Sequence, residues 1–356
     1  MNEYIEYIYI LLLALANCLV PVKKQKYTST LLMIVMMLMC GFRAYDVGTD
    51  THNYVTYASA RFVDDYKWGP LYLPIKALAE MFSEEGSAFL MIMAILTYIP
   101  LIYIIQKKSL RPALSVLMYI IPCGIFFNET FNIARQSIAI VYILLAVVML
   151  EDEKRKLSYC LVALAFFFHP YTIFFALFYF VYKVSFTMKM VLWIMGVSML
   201  IGVVGALSGI MSLLNTMAMM FSEADSDLLQ KFAKYGNGYD IASNFSVVGT
   251  LSHMLPMVGI CVLGANKYSA NNIYFKMMVC GSAITNLFVS VIFCERIAST
   301  FTLSQILAVP FIYTTMNKKY RFWLILLLLL TTFLYVYNMQ GYSHQETWTK
   351  YHTIFD

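Results

Sequence analysis

Four polar residues, Asn128, Asn132, Arg135 and Gln136, stand at i, i+4, i+7 and i+8 at the head of an apolar run that continues to Leu150. On a helix they make one polar face in an otherwise apolar segment. Arg135 is the informative member. An arginine inside a bilayer span costs about 2.5–3.5 kcal/mol on insertion scales, and intramembrane ionisable residues usually face a cavity, a partner or a substrate. The competing use is a guanidinium that snorkels to the headgroups or pairs with Glu129 for packing alone. Two more arginines, Arg43 and Arg296, are brought to the same depth by the topology derived below. Three guanidiniums at one depth suit a polyanion such as a diphosphate head group, because each fork binds phosphate oxygens bidentately and stays charged. Arg296 also has a structural alternative, an ion pair with its neighbour Glu295 or with Asp46 that fixes two helices together.

Candidate bases accompany the arginines. Asp46 and Asp50 lie four apart around Gly48, in a turn or the first turn of a helix, and either one held near an attacking hydroxyl serves as a general base. Thr49, Asp50 and Thr51 are also N-capping types, the plainer use for at least one of them. His169, directly before Pro170, offers a further base or hydrogen-bond donor, with a satisfied interior histidine as the alternative. Other chemistries lack their motifs. There is no GxGxxG after a strand, no P-loop, no GxSxG elbow and no HExxH. The seven cysteines are scattered without ligand or disulfide spacing, and Asp225 with Asp227 reads as solvated surface.

The elements that must position these residues are membrane helices. Of 356 residues, 61% are hydrophobic and 13% charged, and many apolar runs are long enough to cross a bilayer, so the chain reads as one all-α polytopic transmembrane bundle over residues 1–356. Its charge of +5 sits mostly in short loops and reports topology, with no basic stripe of the kind nucleic acid requires. The first run follows Glu3 and Glu6 with no Lys or Arg, so it reads as a span and not as a cleavable signal. Placing Lys23, Lys107, Lys108, Arg111, Lys154, Lys267, Lys318 and their basic neighbours in the cytoplasm sets the remaining spans. The stretch 157–182 keeps the positive-inside pattern only as two short segments broken at His169-Pro170, which sinks His169 into a protein-lined cavity. The expectation is about twelve crossings, some short or broken, with outer loops at about 43–86 and 215–245. After Gly69-Pro70, Leu71, Ile75, Leu78 and Phe82 recur at the spacing of an interfacial amphipathic helix. Although built from cytoplasmic cations alone, this topology brings Arg43, Asp46, Asp50, Arg135, His169, Glu295 and Arg296 to the outer face. A reaction there, without nucleotide, cofactor or metal, needs a substrate that arrives already activated, and a lipid diphosphate sugar meets that need.

Gly41-Phe-Arg43, Val47-Gly-Thr-Asp50-Thr with Tyr54, Asn132-Ile-Ala-Arg135-Gln136, Phe168-His169 and a late Glu295-Arg296 together carry a resemblance to the EpsG family of bacterial membrane proteins, grouped with Wzy-type polysaccharide polymerases. The Trp68-Gly-Pro-Leu-Tyr stretch departs from the Glu-Pro-Gly-Tyr-like sequence expected there. The resemblance implies a GT-C-like bundle in the bacterial inner membrane. Its implied activity is polymerisation of undecaprenyl-diphosphate-linked oligosaccharide repeats on the periplasmic side, as in O-antigen, capsule or exopolysaccharide synthesis. The partners would be a lipid-linked donor, a lipid-linked acceptor and a chain-length regulator protein.

Combined with the chemistry above, the expected site places Arg135, Arg43 and Arg296 on the departing diphosphate and Asp50 or His169 as base. Asp46, Asn132, Gln136, Tyr54 and Glu295 would contact substrate. Tyr54, Tyr57, Tyr66 and Trp68 either stack on sugars or anchor the membrane interface. Rival readings are a flippase for the same lipid-linked sugar, for which no inverted repeat is visible, and an acyltransferase, for which no acyl-donor motif stands out. An O-antigen-ligase-like transfer is chemically the same reaction and stays open.

Overall fold

Among the residues that the computed structural model describes (5–59, 68–83, 86–121, 125–204, 247–288, 292–341 and 350–355), every regular element is helical. Tyr66, the Asp225/Asp227 pair and the expected 215–245 loop lie outside the described residues, as do the side chains of Asn128 and Glu295.

The helices are α1 (Ile5–Leu19), α2 (Val22–Gly41), the short α3 (Thr51–Ser59) and α4 (Tyr72–Glu80), α5 (Ser87–Lys108), α6 (Pro112–Ile120) and α7 (Ala134–Glu151). There follow α8 (Arg155–Phe168), α9 (Phe178–Val181), α10 (Met188–Val204), α11 (Val247–Gly264), α12 (Ile273–Leu287), α13 (Ile292–Thr302), α14 (Gln305–Thr315) and α15 (Lys318–Gly341). α5 and α7 are each long and apolar enough to cross a bilayer, and Arg296–Thr302 with Gln305–Thr315 forms an apolar pair bent by 40°, a broken span or a re-entrant loop. Several other apolar helices are shorter, among them α1, whose 15 residues run about 22 Å against a hydrocarbon core of about 30 Å, whereas α15 runs 24 residues. Among the described residues, full-length apolar helices thus stand beside several shorter ones. α7, buried almost all round, lies at the centre against α5, α8 and α13, as an all-apolar helix must.

The basic loops gather at one end of the bundle. Lys107 and Lys108 pair with Asp152 at 2.5 and 2.6 Å, and Lys108 reaches Glu151 at 2.6 Å. Gln106 donates to the Lys26 carbonyl at 2.8 Å, Lys276 to the Tyr182 carbonyl at 2.6 Å, and Arg111 and Arg321 both lie over the Tyr313 ring. These contacts join the ends of α2, α5, α7, α9, α12 and α14, all expected on the same side.

The expected break at His169-Pro170 is present. His169 is extended (φ −152°, ψ 113°), and a 3-10 helix over Pro170–Leu177 leads into α9. Ser158 near the start of α8 hydrogen-bonds Tyr179 in α9 at 2.6 Å. In one continuous helix those residues would stand about 31 Å apart, so the two limbs run antiparallel as a re-entrant hairpin. Its tip is fixed from outside by the Tyr72 hydroxyl, which donates to the Phe168 carbonyl at 3.0 Å. The amphipathic helix after Gly69-Pro70 also forms, as α4; Leu71 and Ile75 meet the core while Leu78 and Phe82 are exposed.

Candidate functional site

The site lies at the end of the bundle opposite the basic loops, where the 43–50 loop, α3, the start of α7 and the hairpin tip meet. Asp50 occupies the N-cap position of α3, since its carbonyl accepts from the Tyr54 N–H at 3.1 Å. Its carboxylate takes a hydrogen bond from Asn53, and Arg296 and Arg135 are its charged neighbours. Burial pushes the Asp50 carboxyl above the usual carboxylate range, with both guanidiniums and Asn53 pulling the other way. A pocket of about 400 Å³ opens here, lined by Asp50, Asn53, Tyr54, Thr56, Tyr57, Trp68 and Arg135, a volume in the usual range for small-molecule sites.

The polar face read across Asn128 to Gln136 is not one helical face. The chain passes through a π-helical turn at Ile125–Thr130 and leaves helical geometry at Ile133 (φ −123°, ψ 54°) before α7 begins. That break sends three neighbouring residues to three tasks. Asn132 turns back to the 43–50 loop, its Oδ1 accepting from the Thr49 N–H at 2.7 Å and the Thr49 hydroxyl at 3.2 Å. Arg135 faces the pocket, its guanidinium over Trp68 at 4.9 Å and Tyr72 at 5.8 Å. Gln136 is 1% exposed and donates to the Ser299 hydroxyl and the Arg296 carbonyl, at 2.5 and 3.2 Å, locking α7 to α13.

Arg43 behaves differently from the other two arginines. It is 2% exposed, and its guanidinium donates to the Thr51 hydroxyl (2.9 Å) and the carbonyls of Cys40 (2.6 Å) and Phe131 (3.3 Å), while lying over the Phe131 ring. It is not among the pocket-lining residues. This geometry fastens the 43–50 loop to the turn before α7. Asp46 is largely exposed and pairs with His352 at 3.0 Å, so its partner is neither Arg296 nor any pocket residue. Tyr54 is 2% exposed; its hydroxyl accepts from the Arg135 backbone and its ring meets the edge of Trp68. His169 is 7% exposed, with its Nδ1 lacking a hydrogen-bond partner among the described residues and with Arg135 and Arg296 as charged neighbours.

The structure thus gathers Asp50 and Tyr54, Arg135, His169 and Arg296 from four segments of the chain, with Arg43, Asn132 and Gln136 beside the site as its supports and Asp46 paired to His352 outside it. Sequence reasoning missed Asn53 and Thr56. Their signal was legible: positions 50, 53 and 56 repeat at helical spacing and form one polar edge of α3. The contact of Tyr72 with both Arg135 and the hairpin tip had no local signature.

The chemistry open to this arrangement is anion binding by the Arg135 guanidinium beside the Asp50 carboxylate in a pocket with an aromatic wall, with the Arg296 guanidinium and the His169 imidazole as neighbours. Comparison with the curated proteins and with the solved structures returns no match. The chain does match the EpsG family, over residues 26–353, nearly its whole length. The match runs through the Arg43, Asp50, Arg135, His169 and Arg296 segments and the helices that carry them, and with the apolar helices it points to an integral membrane protein of polysaccharide biosynthesis. The chain belongs to the EpsG family, a Wzy-like family of polysaccharide polymerases.

Proposed function

We propose that this protein is a glycosyltransferase that joins undecaprenyl-diphosphate-linked oligosaccharide repeat units on the periplasmic, outer face of the bacterial inner membrane. The observation that carries the reading is a pocket lined by Asp50 and Arg135, with Arg296 as a charged neighbour of Asp50 and His169 within electrostatic reach of both arginines, at the end of the bundle away from the basic loops. By the positive-inside rule that end is the outer one. No nucleotide or metal is required, because the diphosphate ester supplies the driving force.

An acceptor sugar hydroxyl attacks the anomeric carbon of the donor. A new glycosidic C–O bond forms, the bond from the anomeric carbon to the phosphate oxygen breaks, and its electron pair leaves with the lipid diphosphate. Asp50 or His169 takes the hydroxyl proton. Burial makes Asp50 a stronger base than an exposed aspartate, and the unpartnered His169 Nδ1 offers a second acceptor in its neutral form. Arg135 and Arg296 stabilise the charge that develops on the leaving diphosphate, where fixed cations in a partly desolvated site have their largest effect. Arg43, Asn132 and Gln136 hold this constellation in place.

The test is incubation of the purified protein with its lipid-diphosphate-linked repeat unit, without nucleotide or added metal, followed by a gel for glycan length. The expected result is a ladder, lost in Arg135→Ala and impaired in Arg135→Lys, which keeps the charge without the fork. A single unchanged band would move the reading to a flippase or an acyltransferase. A single shift onto a different acceptor would move it to a ligase.

A further inference from the structure

The pocket wall contains an aromatic column whose geometry gives Trp68 a task other than the one its type suggests. Tyr57 stacks on Trp68 with centroids 4.0 Å apart and planes 19° apart. The Arg135 guanidinium carbon stands over the same indole, 4.9 Å from its centroid, and Lys76 Nζ stands over Tyr57 at 5.0 Å. Tyr54 and Tyr72 close on Trp68 in T-shaped contacts at 5.6 and 6.1 Å. A sugar-stacking platform needs an open ring face. At Trp68 a stacked aromatic ring and a guanidinium already lie against the indole.

We infer that Trp68 is a positioning residue for Arg135: the column Lys76–Tyr57–Trp68 presets the Arg135 guanidinium at the pocket, so that Trp68 acts on the lipid diphosphate through Arg135 and not by stacking on a sugar. The inference rests on the reading of Arg135 as a diphosphate ligand and adds a residue to it. An unsupported arginine side chain must be ordered when the anion binds and loses rotamer freedom in doing so. A guanidinium already held over an indole has met that cost beforehand, and the ring's electron-rich face disturbs its charge little. Local backbone supports the column. Gly69 adopts φ +90°, a conformation unfavourable to residues with a side chain, and with Pro70 it turns the chain so that Trp68 and the first residues of α4 approach Arg135 together.

A probe that carries no sugar separates the two roles. Undecaprenyl diphosphate is titrated calorimetrically into the detergent-purified full-length protein, into Trp68→Leu, Trp68→Phe, Arg135→Ala and into the Trp68→Leu/Arg135→Ala double variant. Trp68→Leu is expected to weaken binding about 2- to 30-fold, the equivalent of one cation–π contact. Trp68→Phe is expected to restore much of the loss, and Trp68→Leu to add nothing once Arg135 is alanine. Wild-type affinity in Trp68→Leu, with affinity lost in Arg135→Ala, overturns the inference and leaves the reading of Arg135 intact. Wild-type affinity in Arg135→Ala overturns that reading instead. A second measurement then tests the contact without any ligand. With Trp193, Trp323 and Trp348 replaced by phenylalanine, Trp68 is the remaining tryptophan, and Arg135→Leu is expected to change its emission. Unchanged emission overturns the inference whatever the titration shows, and also where Trp68→Leu fails to fold.

Discussion

Replacing Gly48 with alanine tests the mechanical basis of the site without touching any charged group. Gly48 has φ +91°, and a Cβ placed there would stand 2.7 Å from the Phe131 carbonyl oxygen, 3.1 Å from Thr51 Oγ1 and 3.2 Å from Asn132 Oδ1. The left-handed conformation costs a non-glycine residue about 1–2 kcal/mol. Overpacking costs about 1–3 kcal/mol more, and the nearest obstacle is backbone, which cannot rotate away. The sum is about 2–5 kcal/mol, and at about 2 °C per kcal/mol for a chain of this length the thermal midpoint should fall by about 4–10 °C. The same oxygen accepts from Arg43, and Asn132 accepts from Thr49. The strain therefore falls on the contacts that hold Asp50 in the pocket, and transfer should be lost well below the melting temperature. The assay is a fluorescence-monitored melt in detergent beside the ladder assay, with Gly196→Ala as control, since nothing lies within 4 Å of a Cβ at Gly196. A Gly48→Ala protein with wild-type midpoint and wild-type transfer would refute the reasoning, because the loop would then be held by something other than its approach to Phe131.

Three further outcomes are expected. A carboxyl whose folded pKa is raised, as at Asp50, contributes stability while protonated, below its unfolded value near 3.9, and loses it as the pH rises through the folded value. Asp50→Asn should therefore raise the thermal midpoint at neutral pH while lowering transfer, and a lower midpoint would contradict the burial argument. Arg43→Met removes hydrogen bonds from a charged group to three protein acceptors, each worth about 1.5–3 kcal/mol. Its loss of transfer should track loss of folded protein, whereas Arg135→Ala should lose transfer with an unchanged melt; an Arg43→Met protein that melts normally yet cannot transfer would make Arg43 a substrate ligand. In a cysteine-free background, Lys267→Cys should be shielded from a membrane-impermeant thiol reagent in intact cells and His352→Cys should be labelled, and the reverse pattern would invert the topology.

The membrane class, the family and the residue types of the candidate site can be read from the chain itself, because they rest on local quantities. Apolar runs report a bilayer, cations between them report sidedness, and His169-Pro170 reports a break, since proline cannot continue the hydrogen-bond ladder of the preceding limb. Arg135, Arg296, Asp50 and His169 stood out because charged and titratable groups at membrane depth need a reason to be there. The division of labour among those residues was settled only in three dimensions. A helical period laid across Asn128 to Gln136 assigns one face, but the kink at Ile133, next to where the 43–50 loop bonds to Phe131 and Asn132, turns three neighbours in three directions. Arg43 and Arg135 look equivalent as sequence, two arginines at one depth, yet one is closed in by carbonyls and a phenyl ring and the other stands over an indole at the pocket wall. Residue type fixes what a group is able to bind. Which acceptors reach it first depends on contacts between segments about ninety residues apart, such as Arg43 with Phe131, and those exist only once the chain has closed on itself.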